Sequence, residues 1–103
     1  MIRFTKSETN ENLELKLEGD LDIESTEVVE LELIPIMEQF KAVSINFKEV
    51  PFIDSSGIGL LLNAVQSLDE KGIKVTITDV REEVMDVFDL LQIPEIVGDG
   101  VFV

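Results

Sequence analysis

Pro51-Phe52-Ile53-Asp54-Ser55-Ser56-Gly57-Ile58-Gly59-Leu60-Leu61-Leu62 is where the chain changes character. An apolar approach stops at Asp-Ser-Ser-Gly, and a strongly apolar helical pattern begins. Ile58, Leu61, Leu62, Val65 and Leu68 recur at helical spacing and predict one buried face. Two hydroxyls and a carboxylate therefore stand where a loop turns into a helix. A helix start offers unpaired N–H groups and the positive end of the helix dipole. Anions are favourable there, a phosphate on a serine included. Read alone, Asp-Ser-Ser-Gly is also ordinary capping chemistry. The elements around it decide between the two.

Upstream, Leu13, Leu15 and Leu17 alternate with Glu14, Lys16 and Glu18, the pattern of a half-buried strand. Ile2 and Phe4 give a weaker strand signal, and Lys6 to Asn12 reads as a polar connection closing a hairpin. From about Ser25, a candidate cap, the period lengthens. Val29, Leu33, Ile36, Met37 and Phe40 share a helical face. Pro35 inside that helix predicts a kink or two short helices. Val43, Ile45 and Phe47 form the next strand. Downstream, Lys71-Gly72 ends the second helix, with Gly72 as its cap. Ile73, Val75 and Ile77 alternate as another strand. Asp79 and Glu82 have capping-box spacing before a third helix on Val84, Val87, Phe88 and Leu91. Pro94 stops that helix, and Val101–Val103 is a short last strand.

The order β-β-α-β-α-β-α-(β) implies parallel pairing through crossovers. Yet strands buried on both faces read as continuous apolar runs, and these alternate. The fold class is therefore α/β: a mixed, mostly parallel sheet of four to five strands with helices packed on one face. The other face is left to solvent or to a partner. Leu61, Leu62 and Val65 should lie between the second helix and the sheet. Residues 1–103 make one domain.

Composition narrows the function. There is no Cys and no His, which removes thiol chemistry, the usual general base and a Ser-His-Asp triad. No metal cluster or phosphate-binding glycine loop is visible, so neither a cofactor nor an enzyme is indicated. Net charge is −14, from 22 acidic and 8 basic residues. Such a surface repels nucleic acid and anionic membranes and attracts a basic protein face; the same charge also serves solubility. With no signal-peptide pattern and no long apolar run, the expected compartment is the cytoplasm.

Three segments carry a family resemblance: Gly19-Asp20-Leu21-Asp22, the stretch Asn46 to Gly59 around Asp54-Ser55-Ser56-Gly57, and Val84 to Leu91. Together they resemble the STAS family, and within it the stand-alone bacterial anti-sigma factor antagonists. The resemblance spans roughly residues 2 to 97. It implies that Ser55, directly after the motif aspartate, is phosphorylated by the partner, an anti-sigma factor with serine kinase activity. The unmodified protein would bind that partner and free sigma; phosphorylation would break the complex and a phosphatase would reset it. Ser56 holds the neighbouring Ser/Thr position and is a candidate cap. The expected contact residues are Asp20, Asp22, Asp54, Ser56, Gly57 and Gly59, on a monomer or weak dimer. Gly57 and Gly59 serve either a close partner approach or packing of the helix on its own sheet. Asp20 and Asp22 serve either the partner or the next turn as caps. The chain departs from the family in its very acidic first helix with Pro35, in Leu91-Gln92 where relatives have a Gly-containing turn, and in the little room left for a fourth helix. The alternative is a STAS subunit of a signalling scaffold, or of a transporter or lipid-trafficking complex.

Overall fold

Alternation along the strands sorts this sheet into a core face and an open face. A computed structural model describes residues 2–98 and 100–103. Strands β1 (Arg3–Thr9), β2 (Asn12–Glu18), β3 (Ala42–Glu49) and β4 (Lys74–Thr78) form one sheet in the order β1-β2-β3-β4. β1 and β2 are antiparallel; β2–β3 and β3–β4 are parallel. Leu13, Leu15, Leu17, Val43, Ile45, Phe47, Val75 and Ile77 are buried in one core with the helices. Their neighbours Glu14, Lys16, Ser44, Asn46, Lys74 and Thr76 face outward, exposed or half-buried. The helices therefore pack on one face, as the alternation requires.

β1 is longer than the sequence pattern suggests. Lys6 to Thr9 pair with Leu15 to Asn12, and the hairpin closes through Asn10-Glu11, with Asn10 at φ 56°. An edge strand exposed on both sides carries no hydrophobic period, so it reads as a loop. At the far edge, Phe102 makes a single parallel bridge to Ile77. Its ring also tilts against Phe88, which meets Phe47 edge-to-face.

The first helical course, residues 23–37, runs through Pro35. It opens with a 3-10 turn (Ile23–Ser25), widens into a π segment (Val28–Leu33) and closes as α1 (Ile34–Met37). Pro35 has no N–H, and its ring opposes the carbonyl one turn back. The chain responds by widening upstream: the Ile34 N–H donates to the Val29 carbonyl, five residues back. The proline thus produces a π turn in place of two separate helices. Val29, Leu33 and Met37 are buried as anticipated.

α2 (Ser55–Glu70) ends in a Schellman turn. Gly72, at φ 74°, donates to Asp69 O and Ile73 to Leu68 O. Ile58, Leu61, Val65 and Leu68 are buried, as are Leu60 and Ala64; Leu62 is only half-buried, against expectation. α3 (Glu82–Leu90) starts without the expected capping box. Asp79 sits at φ 55° and accepts from Asn46 Nδ2 at 2.9 Å, while Arg81 is the N-cap residue and its Nε donates to Lys48 O at 2.8 Å. Gln92, at φ 58°, takes the left-handed turn that glycine would otherwise supply. Pro94 then lies in the first turn of a short α4 (Ile93–Val97), so it begins a helix after α3 has already ended.

The four ion pairs among the described residues are all solvent-exposed and add little. Stability rests on the buried face. Leu68→Ala should cost about 2–5 kcal/mol in urea titration, the range for a fully buried leucine. Leu62→Ala should cost clearly less, and an equal loss would contradict the half-buried placement.

Candidate functional site

The motif loop is built by extending the sheet past its regular strands. After a register shift between Lys16 and Glu18, the Gly19 N–H (φ 108°) donates to Glu49 O at 3.0 Å. The Leu21 N–H then donates to Phe52 O at 3.0 Å, and the Asp54 N–H to Leu21 O at 3.3 Å. Leu21 and Ile53 form a parallel bridge, and both are buried. Parallel register sets Asp20 beside Phe52 and Asp22 beside Asp54, on the outward side.

Two helices start from this pair. Asp22 caps the first course: its Oδ1 accepts from the Glu24 N–H at 3.1 Å, and Ser25 Oγ accepts from the Asp22 N–H at 3.3 Å. Ser25 is therefore the third residue of the turn and not its cap. Fully buried, its hydroxyl donates to Asp20 O at 3.2 Å. Asp54 caps α2, with Oδ1 accepting from the Gly57 N–H at 2.9 Å. The cap that Ser56 was a candidate for is thus Asp54.

Ser55 and Ser56 are the first two residues of α2. Ser55 is exposed and Ser56 half-buried; among the described residues neither hydroxyl makes a hydrogen bond within the protein. A serine with no structural task, at an open helix start, is available for chemistry. The two glycines separate in role. A Cβ on Gly57 would lie 1.9 Å from the Leu21 carbonyl oxygen, so Gly57 is the close-packing point of helix on sheet. It is buried, and offers a partner no surface. Gly59 is exposed with open space around it. Asp20 is exposed and its side chain makes no cap.

Two residues at this site escaped the sequence pattern. Ile23 and Phe52 are 68% and 51% exposed. Isolated apolar residues at a strand end and a helix start look like core until the structure turns them outward. Among the described residues no group of His, Cys, Asp or Glu is placed to hold a metal, and no helix is long and apolar enough to cross a membrane.

The glycine roles give opposite expectations. Gly57→Ala should destabilise by about 1–3 kcal/mol or more, because the carbonyl it strikes is backbone. Gly59→Ala, in open space within a helix, should stabilise by about 0.5–1 kcal/mol. Asp54→Ala should cost about 0.5–2 kcal/mol as a lost cap, and Ser56→Ala close to nothing. Chemical denaturation of the four variants checks all of these.

Comparison with known proteins agrees with this geometry. The anti-sigma-B factor antagonist of Bacillus subtilis (strain 168) is 26% identical over 89 residues, covering 85% of this chain and 82% of that protein. Its name describes a regulatory binding protein and not an enzyme. SpoIIAA, a Bacillus cell-fate determinant solved in its phosphorylated form, superposes with a TM-score of 0.67 at 24% identity, over 86% of this chain and 83% of that one. An anti-sigma factor antagonist from Mycobacterium paratuberculosis superposes with a TM-score of 0.80 at 14% identity, over 93% and 82%. The sheet order, the one-sided helices and the motif loop coincide with a match to the STAS domain model across residues 3–102, and the chain belongs to the STAS domain family.

Proposed function

We propose that this protein is an anti-sigma factor antagonist whose binding is switched by phosphorylation of Ser55. The observation that carries the proposal is the exposed, unbonded Ser55 hydroxyl beside a cap that Asp54 already supplies. The Bacillus subtilis relative is an anti-sigma-B factor antagonist, and SpoIIAA has a phosphorylated form. The partner is an anti-sigma factor with serine kinase activity, bound at the surface around Asp20, Asp22, Asp54, Ser55 and Ser56. The protein works in the cytoplasm as a single domain, a monomer or weak dimer.

In the modification step, Ser55 Oγ forms a bond to the γ-phosphorus of ATP as the bond to ADP breaks. The hydroxyl proton passes to a base on the kinase. A phosphatase later adds water across the ester, releasing inorganic phosphate and restoring the hydroxyl. The phosphate adds roughly −1.5 to −2 charges at neutral pH. In a closed interface next to the Asp54 carboxylate, that charge is costly to desolvate and repelled by its neighbour. The Asp54 cap does not involve Ser55, so α2 can keep its start while the interface is lost.

Incubation with the cognate kinase and ATP, followed by mass spectrometry, should place the phosphate on Ser55. Ser55→Ala should bind the partner constitutively, and Ser55→Asp weakly. Phosphate on Ser56, or unchanged affinity once Ser55 is modified, would overturn the assignment. The net charge of −14 should also steer association with a basic partner. The association rate should then fall as salt rises; a flat profile would leave the charge to solubility alone.

A further inference from the structure

The Leu21–Ile53 bridge makes the starts of the two helices equivalent. Asp22 and Asp54 are the caps, and the next residue in each is the first of its helix. In α2 that residue is Ser55. In the first course it is Ile23, 68% exposed. Phe52, 51% exposed, lies beside Asp20 on the same outward side. Neither contributes to the core cluster, and the turn at Ile23 is already held by Asp22 and Ser25. A large apolar group in each place has no task in this chain alone.

The chain on the Ile23 side has one sign. Asp20 and Asp22 flank Leu21, Asp54 follows its partner Ile53, Glu24 and Glu27 continue the first course, and no Lys or Arg occurs between Leu17 and Phe40. An apolar centre with a charged rim is the anatomy of a recognition surface. We infer that Ile23 and Phe52 are the anchor contacts of this protein for its partner, a protein face with an apolar pocket edged by Lys and Arg. The inference rests on the reading that the partner binds at Ser55.

It also settles the sign of the switch. Against a basic rim, added phosphate charge alone would strengthen attraction. An apolar contact that closes over Ile23 also closes over its counterpart Ser55, and a divalent anion there must lose its water. The apolar anchor is what turns the phosphate into a release signal.

The test uses the full chain and the purified anti-sigma factors of the source organism, each immobilised in turn. Kd is measured for wild type, Ile23→Ser, Phe52→Ala and Glu24→Gln/Glu27→Gln across a salt series, with thermal unfolding as the check on folding. Ile23→Ser and Phe52→Ala should each weaken binding roughly tenfold or more at all salt concentrations, mainly through faster dissociation. Glu24→Gln/Glu27→Gln should slow association, most at low salt. Wild-type affinity in both Ile23→Ser and Phe52→Ala, with wild type bound, overturns this inference alone. Binding of wild type to none of the anti-sigma factors overturns the functional reading, and this one with it.

Discussion

The pairing of Leu21 with Ile53, with Gly57 seated against the Leu21 carbonyl, is the constraint on which the functional end of this molecule depends. It lies beyond the regular strands and consists of few bonds. Because it is parallel, it places two chain segments in equal register and sends both into helices from the same level. The missing side chain at Gly57 lets α2 come down onto the sheet extension at backbone distance. Any larger residue would push the helix start away and separate Asp22 from Asp54.

From that constraint the surface follows. The two caps are inward-directed chemistry: each carboxylate oxygen takes an N–H of its own helix start. The residues just after them are outward-directed and carry no structural load. Ser55 and Ile23 therefore differ from the caps in kind. One offers a hydroxyl that can be modified without dismantling the cap, and the other offers apolar area that water would otherwise cover. On the proposed reading, the acidity of the first helical course would steer the approach of a basic partner and the apolar area would slow its departure.

At the residues that interrupt the regular sequence pattern, local backbone adjustments keep the core packed. Pro35 is accommodated by a π turn that keeps Val29, Leu33 and Met37 in the core. Gln92 takes a left-handed backbone conformation in the turn between α3 and α4, and Pro94 is placed where a missing N–H does no harm, in the first turn of α4. The acidic residues of the first course, Glu24, Glu27, Glu30 and Glu32, are all exposed, so their charge lies on the surface and not in the fold beneath it.

The strand and helix patterns were legible without coordinates because burial on one face imposes a period on each element. β2, β3, β4 and α2 all show it, and alternation in three strands sufficed to predict a sheet covered on one side only. β1 was not fully legible, since an edge strand exposed on both sides has no period to read. The position of Ser55 at a helix start, and Gly72 as a terminator, were likewise local matters of backbone hydrogen bonding. What only the tertiary structure decided was the partition of roles within the motif. Whether Asp54 or Ser56 caps α2, and whether Gly57 or Gly59 needs its missing side chain, depends on what lies opposite each residue. What lies opposite is Leu21, more than thirty residues earlier in the chain. The same long-range pairing turned Ile23 and Phe52 outward beside Ser55, because sequence periodicity records which face of an element is buried but not which elements meet at its end.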